Sequence, residues 1–539
     1  MRRRDLLAAV LPSLLLAALL LAPFHDKAFT IDDTLFLRMA EHALTDPLHP
    51  TAFNIVWFEK LDRASSIIPT GPVMAYLLVP AVLLGGAEWA GHAVVWLFLA
   101  LGLAATVALA LRLGLGRRQA AMGALLVAAT PAVLGMAGTC MPDVPAMSLG
   151  VVAMERLVAW RASRRWHAAL ATVLAVALAV LTRSHMVMLV AVGGVALTPL
   201  DELFAWRAWL GYAPWLRLLR RAWPLFAGLG LAWLGTMLVR DRDAAGSDVA
   251  TAVFHFLSLR SLDRHLVAYF VHWTLALPLG VPWMVVRWRA LPWRLFWIAL
   301  PVEAILLAAA AGPGWIVLAP VAAAGLVALV DVFLDGWQRR DGAQLVLAAW
   351  LLLALPVMTY ANLASKYLLP SAPAVALLVV MVLARASPSR SRVTFAASLA
   401  VGAALGTAIL RGDAASAGFE RSAAAELVAP AVAEGKRVWL GGHWGWQWYA
   451  ERAGGVMYTN GQPTPPAGDL LVVDVRADTD RLILPAPHLS LVRTLRDGAP
   501  RGRTMSKRDG AGFYSDHWGF LPWSWGRGDD DRIEVYQLK

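Results

Sequence analysis

The stretch MRRRDLLAAVLPSLLLAALLLAPF at residues 1–24 places three arginines directly before a long apolar run. A helix needs roughly 20 apolar residues to cross a bilayer, so this run is long enough to span one. A cleaved signal peptide would also begin with basic and apolar segments, but no A-x-A cleavage site follows here. Because basic residues stay on the cytoplasmic side, we predict an uncleaved first span with a cytoplasmic N-terminus.

The composition extends this prediction to most of the chain. The sequence has 539 residues, of which 59% are hydrophobic and 16% charged. A soluble protein of this length cannot bury so much apolar surface, so we predict a multi-pass membrane protein. The net charge of +11 comes largely from arginines in short loops between apolar runs, which argues against a nucleic-acid-binding protein. The single cysteine, Cys140, excludes an intrachain disulfide and CxxC metal sites.

The apolar runs predict about thirteen spans and a mainly α, polytopic transmembrane helical bundle. The predicted spans lie near residues 8–24, 90–112, 119–138, 143–160, 166–182, 185–200, 222–239, 265–286, 295–311, 314–334, 343–360, 367–384 and 393–411.

The distribution of arginines tests this threading. With the N-terminus inside, the arginine clusters at 2–4, 112–118, 161–165, 207–221, 287–294, 339–340 and 385–392 fall on the cytoplasmic side, and the short outer loops carry little basic charge beyond Arg183 and Lys366. The apolar segment 69–86 would reverse this pattern if it crossed the membrane. Its three prolines favour a broken helix, so we assign it to the outer face as a juxtamembrane or re-entrant segment within an outer loop at residues 25–89.

An odd number of spans carries the C-terminus to the outer side. We therefore divide the chain into a transmembrane part at 1–411 and a small periplasmic α/β domain at 412–539. Within the latter, RVWLGG, DLLVVDV and RIEVYQLK have the pattern of strands, and ERSAAAELVAPAVAEG that of an amphipathic helix. The aromatic segment GGHWGWQWYAERAGG predicts a strand followed by a helix. Its aromatic rings could form an ordinary core, dock on the membrane or stack on a sugar.

Ionisable residues from separate loops meet at the outer face in this threading. They are Asp32, Asp33, Asp143, Arg183, His185, Lys366 and the neighbouring Tyr367. Charged groups at membrane depth usually face a cavity or a partner. A carboxylate can act as a general base toward a hydroxyl group, and arginine or lysine can hold a phosphate. The combination predicts a cavity with carboxylates at one end, cations at the other, and a lipid-phosphate donor.

Each residue also has a purely structural interpretation. Asp33 and Asp143 could cap helices, because aspartate is favoured at helix N-termini. Arg183 could extend to the lipid headgroups, Lys366 could anchor a helix at the interface, and His185 could be a structural interfacial histidine. The coincidence of all of them on one face favours a functional site.

The order of these motifs resembles the GT-C fold glycosyltransferases, in particular the branch of protein O-mannosyltransferases and aminoarabinose (lipid A) transferases. The matching segments are IDDTLFLRMAEHAL (31–44), AGTCMPDVPAMSLGVVAMERLVAW (137–160), LAVLTRSHMVMLV (178–190) and SKYLLPSAPAVALL (365–378). The likeness covers roughly residues 1–411. The family pattern has Asp-Glu where this chain has Asp32-Asp33, and His-Pro-Pro or Lys-Pro-Pro where it has PTGP at 69–72.

The resemblance implies transfer of a hexosyl or pentosyl group from a polyprenyl-phosphate donor to an acceptor on the periplasmic side, with inversion. It implies that Asp32, paired with Asp33, is the catalytic carboxylate. Lys366, Arg183 and Tyr367 would bind the donor phosphate, and Asp143 would line the acceptor side as a second acidic site. Lys60 or Arg63 could replace the basic contact that the PTGP segment lacks, and His185 is a further candidate.

The resemblance leaves several properties open. The acceptor could be a lipid, a glycan or a protein, and members of the family differ in their use of a divalent metal, which Asp32, Asp33 and Asp143 could bind. The implied location is the bacterial inner membrane. Two alternatives remain: a non-catalytic transporter or flippase of lipid-linked sugars, and an assembly protein whose outer domain recruits partners. A flippase should place its charges along a path near the bilayer midplane rather than at one face.

Overall fold

Helices dominate the computed structural model, which describes residues 3–67, 71–239, 261–477, 482, 489–528 and 531–539. Eight helices among these residues are long and apolar enough to cross a membrane, or ten if two bent pairs each count as one span. The chain is therefore a multi-pass integral membrane protein. The α-helices up to the C-terminal domain are Arg3–Leu21, Asp33–Ala43, Ala64–Ile67, Val73–Leu83, Glu88–Arg112, Arg117–Ala128, Pro131–Ala137, Asp143–Ser163, Trp166–Thr182, Leu189–Leu197, Leu200–Phe204, Tyr212–Val239, Leu262–Leu275, Gly280–Arg287, Trp293–Ala311, Ala319–Arg339, Gly342–Leu351, Ala372–Leu383 and Pro388–Ala423.

All thirteen predicted spans coincide with helices, but three fall outside the eight to ten that qualify by length and composition. The helix Asp143–Ser163 is long enough and carries Glu155 and Arg156 among its charges. The helices Trp166–Thr182 and Ser184–Leu197 are apolar but shorter than 18 residues. These three surround Arg183, so the short or charged helices cluster where the sequence places ionisable groups.

Prolines explain the two bent pairs. The helices Arg117–Ala128 and Pro131–Ala137 meet at 58°, and Leu262–Leu275 and Gly280–Arg287 meet at 66°. Pro131 begins the second helix of the first pair, and Pro278 lies in the break of the second pair. A proline lacks the N–H that would continue the helical hydrogen bonds and disfavours helical geometry at the residue before it.

Glycines let some helices approach closely. A Cβ on Gly325 would lie 2.1 Å from the Phe270 carbonyl oxygen, and one on Gly402 would lie 2.6 Å from that of Ala129. Helix association in a bilayer depends on close van der Waals packing because lipid tails are as apolar as the side chains. These crossings therefore contribute to the packing of the bundle.

The outer loop is compact. After the helix Asp33–Ala43, a hairpin pairs Asn54–Trp57 with Lys60–Arg63, and the helix Val73–Leu83 packs against Asp33–Ala43. Val73–Leu83 has eleven residues, which span roughly 16 Å and cannot cross a bilayer alone. Of the PTGP segment, Pro69 and Thr70 lie outside the described residues.

The C-terminal domain is built on a five-stranded mixed sheet, as the sequence predicts for RVWLGG, DLLVVDV and RIEVYQLK. Its strands, in spatial order, are Val456–Met457, Val438–Gly441, Leu470–Asp474, Arg532–Leu538 and Leu489–Arg496. The first three are parallel, and the last two add antiparallel partners. The helix Trp444–Arg452 follows the second of these strands, and short strands at Arg501–Arg503, Met505–Ser506, Ala511–Gly512 and Ser524–Gly526 complete the domain.

One long helix joins the membrane part to this domain. Pro388–Ala423 continues through a short π-helical turn at Ala424–Val428 into the helix Ala429–Ala433. Its last turns pack against the sheet, with Ala423 and Val428 in the same hydrophobic cluster as Leu440. The division proposed between residues 411 and 412 lies within this helix, so the two parts of the chain share a continuous element.

Candidate active site

Asp32 and Lys366 form the centre of the candidate site. Asp32 precedes the helix Asp33–Ala43, and Lys366 lies in the 3-10 helix Ser365–Ser371 that begins a late span. Lys366 Nζ donates to Asp32 Oδ2 at 2.9 Å. The Lys366 side chain is 4% exposed and that of Asp32 24% exposed. The carboxylate is therefore held by a buried ammonium while one part of it remains accessible to another molecule.

A second ion pair lies beside the first. Arg183 Nη2 donates to Asp143 Oδ2 at 2.8 Å, and both side chains are almost fully buried. The Tyr367 ring links the two pairs, because its centroid is 5.6 Å from Arg183 Cζ and 5.7 Å from Lys366 Nζ. Aromatic faces attract cations at these distances.

Asp33 has a different environment from Asp32 although the two are adjacent. It is fully buried, and its two carboxylate oxygens accept hydrogen bonds from the backbone N–H groups of Thr30 and Cys140 at 3.1 and 2.7 Å. Burial raises the pKa of Asp33 to about 7, against the opposing effect of Lys27 and the two backbone donors. Asp33 therefore ties the outer loop to the turn before Asp143, and leaves the accessible position to Asp32.

The structure interleaves the charges instead of separating them. The sequence-based picture placed carboxylates at one end of a cavity and cations at the other, but here Asp32 faces Lys366 and Asp143 faces Arg183. Pairing is expected in a poorly solvated environment, where an isolated charge is much more costly than a paired one. A bound phosphate would have to compete with a carboxylate for each cation.

A third charged cluster was missed by the sequence analysis. Lys27 Nζ lies 2.8 Å from Asp413 Oδ2, and the Tyr514 hydroxyl donates to the same oxygen at 3.0 Å. Thr504 Oγ1 donates to Asp413 Oδ1 at 3.3 Å. Lys27 and Asp413 sit where the first and last apolar runs end, so the sidedness argument could have included them, whereas nothing in the sequence points to Tyr514.

The electrostatics of this cluster are consistent with its geometry. Burial opposes the charged form of Lys27, but the carboxylates of Asp413 and Asp33 outweigh it and raise the pKa of Lys27. Burial and the neighbouring Asp413 raise the pKa of Tyr514 well above its usual value, so the phenol keeps its proton and acts as the donor.

The remaining candidates lie at the edge of this arrangement. His185 is buried two residues after Arg183, in the 3-10 helix Ser184–Met188. Lys60 is exposed on the outer-loop hairpin. Arg63, at the end of the same hairpin, donates to the Ala52 carbonyl oxygen at 3.2 Å. The Asp32–Lys366 pair instead contacts Met141, Tyr367 and Tyr514.

Among the described residues, the carboxylates near the site do not converge as a metal site would require. In the described part of the chain, no group of three or more histidine, cysteine, aspartate or glutamate side chains is placed to hold an ion. The carboxylates of Asp32, Asp33 and Asp143 each have other partners.

The aromatic segment of the C-terminal domain packs against the start of the outer loop. Trp446 and Trp448 are buried, which agrees with an ordinary aromatic core. The Phe29 N–H donates to the Tyr449 hydroxyl oxygen at 2.8 Å, and the Phe29 ring meets Trp448 edge to face. These contacts fix the chain three residues before Asp32.

Comparison with solved structures identifies the fold. The chain is similar to ArnT from Cupriavidus metallidurans in the apo state, with a TM-score of 0.53 and 16% identity over 90% of this chain and 95% of that one. It is equally similar to the same protein bound to undecaprenyl phosphate, with a TM-score of 0.53 and 15% identity over 98% and 97% of the two chains. No protein-family model matches the sequence, and no curated protein matches it significantly.

At this level of identity the similarity shows a shared fold but does not by itself show a shared activity. ArnT has the GT-C fold, and the similarity extends over nearly the full length of both chains. The expectation of a mainly helical GT-C-like architecture with a C-terminal α/β domain is thereby confirmed. This chain has the GT-C fold.

Proposed function

We propose that this chain is a membrane glycosyltransferase that moves a sugar from a polyprenyl-phosphate donor to an acceptor hydroxyl on the periplasmic side, with inversion. The observation that carries the proposal is the contact between Asp32 and Lys366, in which a partly exposed carboxylate meets a buried ammonium at 2.9 Å. The similarity to an ArnT structure that contains undecaprenyl phosphate supports the choice of donor.

The proposed step uses these groups in defined roles. An acceptor hydroxyl donates its proton to Asp32 while its oxygen attacks the anomeric carbon from the side opposite the phosphate. The bond between that carbon and the phosphate oxygen breaks, and polyprenyl phosphate leaves with the bonding electrons. Lys366 and Arg183, with Tyr367 between them, stabilise the negative charge that develops on the leaving oxygen. Asp143 orients Arg183 and lines the acceptor side.

Sugar transfer by the Asp32→Asn variant tests the role of the carboxylate. Removing a general base typically lowers the rate by about 10²–10⁴-fold. The assay would use purified full-length protein in vesicles and a panel of polyprenyl-phosphate sugars, with Asp26→Asn as the matched control. Asp26 lies in the same outer loop and its side chain is exposed. Transfer by Asp32→Asn at the wild-type rate would overturn the assignment.

Assays of the wild-type protein distinguish a glycosyltransferase from a flippase. Absence of transfer with every donor, together with movement of a lipid-linked sugar between leaflets, would favour the transporter. Mass spectrometry of lipids and glycans from cells with and without the gene would reveal whether the acceptor is a lipid, a glycan or a protein, because the product would be missing from the mutant.

We also propose the orientation: a bacterial inner-membrane protein with its N-terminus in the cytoplasm, a transmembrane part at 1–411 and a periplasmic domain at 412–539. The arginine distribution supports it. Because Cys140 is the only cysteine, a Cys140→Ser background allows single engineered cysteines to be labelled with membrane-impermeant reagents. Lys539→Cys should be labelled from the periplasmic side and Arg118→Cys should not.

A further inference from the structure

We infer that Tyr514, from the C-terminal domain, is a positioning residue for Lys366 and that the donor-phosphate site is incomplete without this domain. The inference rests on the proposed function, because it assigns Tyr514 a role in presenting Lys366 to a phosphate. It gives the C-terminal domain a part in the site itself, although Tyr514 lies more than a hundred positions after the last predicted span, which ends near residue 411.

Backbone hydrogen bonds bring the domain to the site. Ser365 N–H donates to the Phe513 carbonyl oxygen at 3.1 Å, and Asp516 N–H donates to that of Leu363 at 3.1 Å. The Asp516 carboxylate also accepts from the Leu363 N–H at 2.9 Å. These bonds connect residues 513–516 to the segment immediately before Lys366. The backbone that carries Lys366 is therefore fixed by the C-terminal domain.

Tyr514 lies in the middle of this connection. Its side chain is buried, and its ring centroid is 5.8 Å from Lys366 Nζ. Its hydroxyl donates to Asp413, which also pairs with Lys27. One side chain therefore spans two charge clusters: its ring faces the ammonium of the first, and its hydroxyl is anchored by the second. The anchored hydroxyl restricts the position of the ring.

The rings of Tyr367 and Tyr514 would remain around the Lys366 ammonium when a phosphate competes with Asp32 for it. The buried ammonium contacts Asp32, Met141 Sδ at 3.6 Å, and the rings of Tyr367 and Tyr514. If the phosphate draws Lys366 away from Asp32, the two rings still stabilise the cation from their faces. The carboxylate of Asp32 is then released to accept the proton of the acceptor hydroxyl. Tyr514 thus keeps the ammonium in position while its partner changes from the carboxylate to the phosphate.

Binding of undecaprenyl phosphate to the purified full-length protein in lipid nanodiscs tests the inference directly. We expect Tyr514→Leu to weaken this binding by about three- to thirtyfold, the range for loss of a cation–π contact, and to raise the donor KM more than it lowers kcat. Tyr514→Phe keeps the ring but loses the hydrogen bond to Asp413, so it should bind less tightly than wild type and more tightly than Tyr514→Leu. A ring-fluorinated phenylalanine at 514, nearly the same shape but with a weaker ring quadrupole, should bind less tightly than phenylalanine.

Tyr458 provides the matched control. It is a buried tyrosine of the same domain, its ring meets Trp439, and it belongs to a separate hydrophobic cluster. Tyr458→Leu should perturb the domain without changing phosphate affinity. Equal affinities for Tyr514→Leu and Tyr458→Leu would overturn the inference. If Tyr514→Leu does not fold, equal affinities of the phenylalanine and fluorinated proteins would overturn it instead.

The same measurements separate this inference from the proposed function. Wild-type protein that neither binds undecaprenyl phosphate nor transfers sugar from any donor would defeat both. Wild-type protein that binds and transfers, with Tyr514 variants indistinguishable from their controls, would defeat only the role of Tyr514.

Discussion

Lys366 and Asp32 are 334 residues apart in the chain, yet their charged atoms are 2.9 Å apart. The pair joins the first outer loop to a late span, so the site exists only when most of the membrane bundle has assembled. The two residues are remote in the sequence, so the distance between them is set by long-range packing.

Lys366→Gln should lower kcat/KM for sugar transfer by about 10²–10³-fold, because it removes the cation proposed to stabilise the leaving phosphate. Lys436→Gln is the control, since its ammonium pairs with Glu434 in solvent. Initial rates at several donor concentrations would measure the effect. A Lys366→Gln enzyme within threefold of the control would contradict the assigned role.

Breaking the buried Arg183–Asp143 pair should be costly to the stability of the folded protein. Arg183→Met leaves a buried carboxylate without its partner, which typically destabilises a protein by about 3–5 kcal/mol. The double variant Arg183→Met/Asp143→Asn removes both charges and should regain much of the loss. Thermal unfolding in detergent would measure both. Arg493→Met breaks an exposed pair with Glu426 and serves as the control, with an expected cost of about 0–1 kcal/mol.

If instead Arg183→Met and Arg493→Met melt at the same temperature, the buried pair does not stabilise the fold. A loss in the double variant equal to the sum of the losses in Arg183→Met and Asp143→Asn measured singly would show that the two side chains act independently.

Asp33 should make stability depend on pH. Its pKa is raised by burial from 3.8 in the unfolded chain to about 7, so between these values the folded protein keeps a proton that the unfolded chain releases. The contribution of Asp33 therefore becomes more unfavourable as pH rises from about 4 to 7. Asp33→Asn removes this contribution, and its melting temperature relative to wild type should be higher at pH 8 than at pH 4.

The reference for this experiment is Asp46, an exposed aspartate of the same loop. Desolvation opposes the charge there, but the hydrogen bonds with His49 outweigh it and hold the pKa of Asp46 below its usual value. Asp46→Asn should therefore show no such gain at high pH. A constant difference between Asp33→Asn and wild type across the range would contradict the prediction.

Gly71→Ala should disturb the site through the backbone. A Cβ at Gly71 would lie 1.7 Å from the Leu181 carbonyl oxygen, two residues before Arg183, so the outer loop must move away from the helix Trp166–Thr182. We expect loss of transfer activity together with a lower melting temperature. Gly498→Ala, at a glycine with open space around its Cβ position, is the control and should behave like wild type. Unchanged activity in Gly71→Ala would show that this contact is dispensable.

Much of the site could be anticipated by asking which ionisable residues share one face of the membrane. That argument brought Asp32, Asp143, Arg183 and Lys366 together, and the structure places them in two adjacent ion pairs. It did not predict which carboxylate meets which cation. Such pairings depend on differences of a few ångströms in how helices pack, and hydropathy carries no information at that scale.

The contacts that the C-terminal domain makes with the site could not be predicted from the sequence, for a different physical cause. Tyr514 reaches Lys366 because residues 513–516 pair with the backbone of residues 363–365. This contact joins the two parts of the chain through main-chain groups that every residue possesses, so no side-chain pattern signals it.

The long apolar runs predicted a helical membrane bundle and its order of segments, and the short strand-like patterns after residue 411 predicted a C-terminal domain with strands. The reason is that a backbone in lipid must satisfy its own hydrogen bonds, which leaves helices as the natural form of such runs. Long-range packing, by contrast, determined which cations pair with Asp32 and Asp143. It also determined that Asp33 is buried and that Tyr514 lies beside Lys366. Contacts between residues hundreds of positions apart arise from the balance of desolvation and pairing in the folded bundle, and local sequence does not encode that balance.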